Sequence, residues 1–536
     1  MNDVSDVGVG PEIGIEQEIK LEVPRRWTMP RLEGIGRVAS VEGPRRMTQS
    51  ATYLDTLDLD LLRARHTLRR RTGGSDAGWH LKTPGDGDGR VEHRLPLGRS
   101  AAIVPAELHA IVAPLVDGDA LVPVATLRTR RTRRSLLHDG GRVLLLVEDD
   151  AVEATTYVDG ERVHRWREIE VELVDGTAED LAAVRDALVA KGLAVSDSPS
   201  KLSRALAEPL ARLGEAASGT SSEKKGSKKK RKGAKDPAAP ESRSAGEVVL
   251  AYLAAQVGVL QSSEQALREN APDAVHKARV ATRRLRSTLK SYRALIDRVE
   301  TDPLRAEIKW LTGALGDPRD GEVMLERISG LLDSLEPDLI VDRADRDMRA
   351  ALTDEHERAH ARMVKALDST RYERLMGDLV DLLLHPPLSE RATGPSSAVL
   401  PKLVAKASAK VVRQAEAAEA MPEGAERDEA IHEVRKLAKA ARYAAEAAGA
   451  AAGGEAKAVV SAWKDLQEAL GDHQDSVVSR GVVMRLAADA RKAGRETFTY
   501  GVLAEREYAV ARSVEERYKP LLEGAIAAAG KVGTKG

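Results

Sequence analysis

Two stretches of the chain carry two different rhythms of apolar and charged positions. From about residue 12 to about residue 212 the rhythm is two. Glu16, Glu18 and Lys20 alternate, with exceptions, with Ile15, Ile19 and Leu21, and Glu168, Glu170 and Glu172 alternate with Ile169, Val171 and Leu173. Residues i and i+2 share one face of an extended chain, so Glu16–Val23, Val143–Glu148 and Glu168–Leu173 read as strands. Gly, Pro and Asp clusters between such runs read as turns, and a few helices complete the region. From about 245 to 528, Ala, Leu, Glu and Arg recur at helical spacing nearly throughout, which predicts an all-α region. Between the two, from about 213 to 244, Ser and Gly give way to Lys224, Lys225, Lys228, Lys229, Lys230, Arg231 and Lys232, then to Pro237 and Pro240. Such a segment has no apolar area to bury and is expected to be a disordered linker.

The helical region repeats itself. His276 recurs as His432, and Ala-Leu-Gly-Asp at Ala314–Asp317 recurs at Ala469–Asp472, both at an offset of about 155 residues. Two unrelated features at one offset predict a duplicated helical unit, with repeats over about 245–385 and 396–528. The fold expected for the whole chain is α+β and multidomain.

Composition narrows the picture. At 536 residues the chain exceeds one ordinary core, so two or three domains are expected. Aromatics total 3% with a single Phe, so Ala, Leu and Val must build the cores, which suits closely packed helices. There is no cysteine, which excludes disulfides and thiolate metal sites and fits a reducing compartment. The first residues show no basic stretch leading into an apolar one, the mark of a secretory signal. No run of eighteen apolar residues exists, the best, Val248–Leu260, being short and interrupted by Gln256. A soluble, cytoplasmic protein without a membrane partner is expected. Net charge is −1 although 31% of residues are charged, so strongly basic local stretches point to a specific anion site rather than a generally cationic surface.

The period-two charges carry the first candidate chemistry. Besides Glu16, Glu18 and Lys20, the pairs Arg69 and Arg71, and His80 and Lys82, share a strand face. So do Arg90, Glu92 and Arg94. One such strand is ordinarily the solvated face of a sheet. Five of them, carrying both signs, predict a closed sheet with charges facing inward. Cations there grip phosphate oxygens while carboxylates hold Mg²⁺ or Mn²⁺. These residues resemble the CYTH superfamily, through Glu16-x-Glu18-x-Lys20, Tyr53-Leu54-Asp55-Thr56, Leu68-Arg69-Arg70-Arg71, Trp79-His80-Leu81-Lys82, Glu168 through Leu173, and Ser200-Lys201-Leu202-Ser203-Arg204. The resemblance spans the N-terminal region. It implies an eight-stranded antiparallel β tunnel that binds a triphosphate-containing small molecule with divalent metal. By the same resemblance Lys20, Arg69, Arg71, Lys82, Arg131 and Lys201 are phosphate ligands, with Arg128 and Arg130 competing for the place of Arg131. Glu16, Glu18, Asp150, Glu170 and Glu172 are the metal and water-activating carboxylates, and Glu92 orients the basic residues. Leu146 departs from the pattern, since many relatives carry an acid there; Glu148, on the same strand face, is the substitute.

The helices carry the second. His276, Arg279, Arg283 and Arg286 stand at 0, +3, +7 and +10, within about 80° of arc on one helix face. His432, Arg435, Lys439 and Arg442 repeat the spacing, with Arg284 and Lys436 beside the two stripes. Solvated faces mix signs at i and i+4; the stripe positions hold no carboxylate, so like charges repel and a polyanion is the natural partner. The two segments, each followed by Leu-Gly-Asp at Leu315–Asp317 and Leu470–Asp472, resemble the two halves of a CHAD domain. That resemblance implies helical bundles with a basic groove for inorganic polyphosphate. The histidines then donate to phosphate oxygens, and Asp320 and Asp475 orient arginines.

Three functions follow as expectations. The first is a polyphosphate-binding protein whose tunnel hydrolyses tripolyphosphate or an organic triphosphate. The second is a non-catalytic adaptor at polyphosphate granules. The third, nucleic-acid binding, is disfavoured because Tyr443 is the only aromatic beside the stripes. Cyclase chemistry, also found among CYTH proteins, finds no legible adenine pocket.

Overall fold

The computed structural model describes residues 12–24, 26–74, 76–85, 90–98, 103–158, 160–218, 243–422, 425–452 and 454–532. Most of the Lys-rich segment therefore lies outside the described residues. The chain divides into a β-rich unit and a helical unit.

The β-rich unit is one antiparallel sheet. Its strands are β1 (Glu12–Glu16), β2 (Glu18–Glu22), β3 (Ser40–Asp55), β4 (Thr67–Thr72), β5 (Gly78–Pro84), β6 (Arg90–Leu95), β7 (Val122–Leu137), β8 (Val143–Thr156), β9 (Arg162–Leu173) and β10 (Ala194–Val195). The order is β1-β6-β5-β4-β3-β7-β8-β9-β2-β10. β1 and β2 are one run of chain interrupted at Gln17: the first half pairs with β6 and the second with β9. The sheet thus returns to its own starting strand and closes. Counting β1 and β2 as one, eight strands form the expected tunnel, and β10 adds a short edge to β2.

Side-chain alternation is inverted relative to a barrel with an apolar interior. Leu21, Ile169, Val171, Leu145 and Val147 point outward and are fully buried beneath α3 (Ala178–Ala190), with Val184 and Leu188. Leu54, Leu68, Leu81 and Trp79 pack against α1 (Asp60–Arg63) and α2 (Ala106–Val116). Apolar area is therefore buried outside the tunnel wall, which leaves the inward positions to charge. α3 starts at a capping box, Thr177 with Asp180, which Arg37 Nε braces at 2.9 Å. Two further helices, α4 (Lys201–Ala205) and α5 (Ala207–Ser218), end the unit.

The helical unit shows the duplication. α6 (Ala245–Arg268) and α7 (Ala274–Ser291) correspond to α12 (Ser396–Glu419) and α13 (Ala425–Ala448). α8 (Arg298–Ala314) and α9 (Gly316–Asp333) correspond to the single 39-residue α14 (Gly454–Lys492), and α10 (Ala344–Leu367) to α15 (Phe498–Val532). α11 (Thr370–Leu384) belongs to the first repeat alone. Both repeats carry Ala-Leu-Gly-Asp where α8 gives way to α9, but Pro318 follows the first copy and His473 the second. Proline lacks the N–H that a continuous helix uses, which fits a restart with Pro318 in the first turn of α9, although α15 runs through Pro520 unbroken. Small side chains let the helices approach: Ala438, Ala441 and Ala444 are fully buried, with Val434, Trp463 and Leu466 around the first two. α6 is the one described helix long and apolar enough to cross a membrane, yet Val249, Leu253, Val257 and Leu260 are buried in the bundle.

Candidate functional site

Register assembles the acidic wall of the tunnel. Across β2, β9, β8 and β7 the Cα ladder reads Lys20, Glu170, Glu148, Arg133; the next inward rung reads Glu168, Asp150, Arg131 across β9, β8 and β7. Arg131 donates from Nε to Asp150 Oδ1 at 2.8 Å, and from Nη2 to Asp150 Oδ2 at 2.6 Å and Glu170 Oε2 at 3.0 Å; it also touches Glu148. Arg133 Nε donates to Glu148 Oε1 at 2.7 Å. Lys201, the first residue of α4, reaches Glu170, Glu168 and Asp150 at 2.6, 2.8 and 3.1 Å. Lys20 pairs with Glu18 and lies 3.7 Å from Glu170.

The basic wall faces it from β4, β5 and β6. Arg69 donates to Tyr53 Oη at 3.3 Å and lies 3.4 Å from Glu92, while Arg71 pairs with Asp76. Glu92, 1% exposed, sits behind this wall as a shared anchor. His80 Nδ1 lies 3.1 Å from it and Lys82 Nζ 4.0 Å, and Arg94 Nε donates to it at 2.6 Å. Between the walls lies a cavity of about 390 Å³, lined among others by Glu18, Lys20, Arg69, Arg71, Lys82, Arg131, Glu148, Glu170, Glu172 and Lys201.

Charge inside this cavity is finely opposed. Burial alone would raise the Glu170 carboxyl, but Lys201, Lys20 and Arg131 overcome it and hold the group well below the ordinary carboxylate range. Glu148 goes the other way: burial, with Glu170 and Asp150 beside it, outweighs Arg131 and pushes its carboxyl up. Burial would lower Lys201, but Glu170, Asp150 and Glu168 hold it well above the usual lysine value. Arg71 is pulled down, by burial and then by the Arg69 guanidinium, and its Nε has no partner among the described residues. Two crowded guanidiniums favour an anion between them.

The fit to a divalent cation rests on Glu148, Asp150 and Glu170. All three are buried, and one carboxylate oxygen from each lies within 4.8 Å of the others. An all-oxygen donor set suits a hard cation such as Mg²⁺ or Mn²⁺. Leu146 lines the cavity and pairs across with Glu172, so the acid absent there is found two residues on, at Glu148.

In the helical unit, α7 packs on α13, bringing the two stripes together. Lys439 is pushed down to about 8, by burial and then by Arg435, Arg283 and Arg279. Arg283 is lowered by burial first and by Arg279, Arg442 and Arg284 among its neighbours. The Nε atoms of Arg279, Arg283 and Arg435 are buried without a partner among the described residues. Flanking members differ. Arg279 pairs with Asp320 at 2.5 Å, and Asp475 faces Arg435. Glu446 takes Arg284 at 3.0 Å, Arg442 at 2.7 Å and the Tyr252 hydroxyl at 3.2 Å, and Glu433 takes Lys436 at 2.6 Å. Arg286 looks toward Arg305 and His276 toward Arg319. The stripes are thus carboxylate-free along the positions read from spacing, but Glu446 and Glu433 neutralise their edges.

The structure brings Glu18, Lys20, Arg69, Arg71, Lys82, Arg131, Glu170, Glu172 and Lys201 to one cavity, with Asp150 and Glu92 buried behind its walls. The backbone of Glu16 pairs with Arg90, but its side chain, like that of His432, lies outside the described residues. Period two separates the three competing arginines: Arg131 points in with Arg133, whereas Arg128 and Arg130 are exposed on the outer face. Sequence reasoning missed Tyr53, Gln49, Arg133 and Asp76 as lining residues. Parity on β3 and β7 could have found the first three; Asp76 lies in a connection with no periodic signal.

Closed strands with opposed walls of charge, followed by duplicated helices whose two basic stripes meet, define a triphosphate-tunnel protein with a duplicated helical unit. Residues 14–206 match the CYTH domain family model and residues 251–483 the CHAD domain model. The uncharacterized protein Rv2226 of Mycobacterium tuberculosis is 36% identical over 535 residues, 96% of each chain, and the protein MT2285 of a second strain matches equally. Among solved structures, PptA from Streptomyces chartreusis is 22% identical with a TM-score of 0.44, covering 52% of this chain and 99% of that one. The CHAD domain from the plant Ricinus communis is 24% identical with a TM-score of 0.43, covering 53% and 93%. The chain belongs to the family that joins a CYTH domain to a CHAD domain. CYTH tunnel enzymes use divalent metals, and the two families are associated with triphosphate and polyphosphate ligands.

Proposed function

We propose that the protein binds inorganic polyphosphate through its helical unit and hydrolyses tripolyphosphate or an organic triphosphate in its tunnel. The observation that carries this reading is the one tunnel cavity whose lining brings together Arg69, Arg71 and Lys82 with Glu18, Glu148 and Glu170. Arg69, Arg71, Lys82 and Lys20 would grip the phosphate oxygens, with Glu92 holding the basic wall in place. Asp150, Glu170, Glu148, Glu18 and Glu172 would hold Mg²⁺ or Mn²⁺, which when bound polarises the terminal phosphoryl group and offsets its charge. A carboxylate on the same wall orients water and takes its proton. Glu148, which lines the cavity beside Glu170 and Asp150, is placed for that role. The water oxygen bonds to the terminal phosphorus, the bridging P–O bond breaks, and orthophosphate leaves with diphosphate behind. The cations stabilise charge on the departing oxygen.

In the helical unit, Arg279, Arg283, Arg435, Lys439, Arg284 and Arg442 form the centre of the polyphosphate furrow, flanked by His276, Arg286, His432 and Lys436. Binding there would localise the protein to polyphosphate granules in the cytoplasm. A second reading, a non-catalytic granule adaptor, is favoured by Leu146 and by Arg131 and Lys201 already neutralising the acidic wall. Changing Arg279, Arg283, Arg435 and Lys439 together to Ala should abolish binding of long-chain polyphosphate, measured by calorimetry. Retained binding in a folded quadruple variant would remove the furrow from either reading.

A further inference from the structure

The acidic wall already holds a cation of its own. Lys201 Nζ lies 2.6 Å from Glu170, 2.8 Å from Glu168 and 3.1 Å from Asp150, and its side chain is only 11% exposed. Several carboxylate oxygens around one positive charge is the environment a hard metal ion needs. Asp150 and Glu170 belong to the triad whose oxygens lie within 4.8 Å of one another. Lys201 and a divalent cation therefore compete for the same oxygens, since two cations in contact with one pair of carboxylates repel strongly at low dielectric.

Arg131 is the other cation there, and it is poorly placed to leave. It sits in the middle of the sixteen-residue β7, bidentate on Asp150 and in contact with Glu148 and Glu170. Lys201 is a point charge on a flexible stem, at the start of a five-residue helix. We propose that Lys201 is the tunnel's built-in counter-cation: it occupies the carboxylate site until a divalent cation displaces it, and α4 shifts when it does. This rests on the reading of the acidic wall as a metal site. Once displaced, the ammonium remains on the cavity lining, where an incoming phosphate meets it, so metal and phosphate each favour the other's binding. A reporter on β9, Trp166, touches the same helix. The Arg204 guanidinium stands 5.3 Å over the Trp166 ring, and Trp166 Nε1 donates to Glu168, a partner of Lys201, at 2.6 Å.

The test is calorimetric Mn²⁺ binding to the full chain without any phosphate compound, in wild type, Lys201→Met and Lys201→Gln. Both variants should bind at least about tenfold more tightly, because the competing state has been removed. In wild type, Mg²⁺ titration should change tryptophan fluorescence, and Trp166→Phe should lose that change. Equal or weaker Mn²⁺ binding in both variants overturns the proposal, and so does a wild-type titration that leaves Trp166 silent. Absence of Mn²⁺ binding in wild type and both variants would overturn the metal-site reading with it. Should the variants fail to fold, the fluorescence arm decides alone.

Discussion

Lys439 makes polyphosphate binding sensitive to pH in a direction that can be worked out. Burial and three neighbouring guanidiniums, Arg435, Arg283 and Arg279, push its ammonium down to about 8 in the free protein. A polyanion in the furrow adds negative charge within contact distance, which returns the group toward the ordinary lysine value of about 10.4. The bound pKa then exceeds the free one, so above pH 8 binding takes up a proton. Affinity is fully present below about pH 8 and falls as pH rises, by up to roughly tenfold per unit until the bound pKa is reached. Between pH 7.5 and pH 9.5 the loss should be on the order of tenfold, the upper limit being reduced by solvent at the furrow's edge. Calorimetry at fixed ionic strength measures it, because salt would otherwise dominate the comparison. Lys439→Arg keeps the charge and removes the titration, so its affinity should be nearly flat over that range. An equal pH dependence in wild type and Lys439→Arg would refute the reasoning.

Two predictions concern stability. Glu446→Ala removes the acceptor shared by Arg284, Arg442 and Tyr252 and should cost about 2 kcal/mol in urea unfolding, chiefly from the hydrogen bonds lost by Arg284 and the partly buried Tyr252 hydroxyl. Asp180 is held well below the usual carboxylate range, first by the Arg37 hydrogen bond and then by Thr177 against the effect of burial. A lowered folded pKa contributes stability above the unfolded value of about 3.9 that is lost as pH falls. Arg37→Ala should therefore lower the urea midpoint more at pH 7 than near pH 2, where part of the effect has been lost, and both effects should be small because Arg37 is half exposed. An equal loss at both pH values would contradict this.

Much of the tunnel was legible because strand parity is a local property. Glu18 and Lys20, Glu170 and Glu172, or Arg69 and Arg71, share a face wherever their strand goes, and charge of both signs on such faces already argued for an enclosed interior. Closure was expected, but the way it is made was not legible: it depends on Gln17 dividing one run of chain between β6 and β9, a long-range pairing with no local mark. Parity also contained the choice of Arg131 over Arg128 and Arg130, once Thr129 and Arg133 are seen on its face. The role of Glu148 beside Leu146 required the register with β9. In the helices, spacing placed the stripes but not their neighbours. Glu446 neutralises Arg442 one turn along the same helix, yet reaches Arg284 only because α7 packs on α13. The break between α8 and α9 was not read from Pro318, nor the unbroken α14 from His473 in its place, and proline alone does not decide it, since α15 runs through Pro520.

The most direct measurement is phosphate release from the purified protein offered tripolyphosphate, thiamine triphosphate and ATP, each with Mg²⁺, Mn²⁺ or EDTA. Hydrolysis in the tunnel predicts metal-dependent release from one of them, lost in the Glu16→Ala, Glu18→Ala double variant while long-chain polyphosphate still binds. No release above background with any metal, from protein that binds polyphosphate tightly, would contradict it and leave the adaptor.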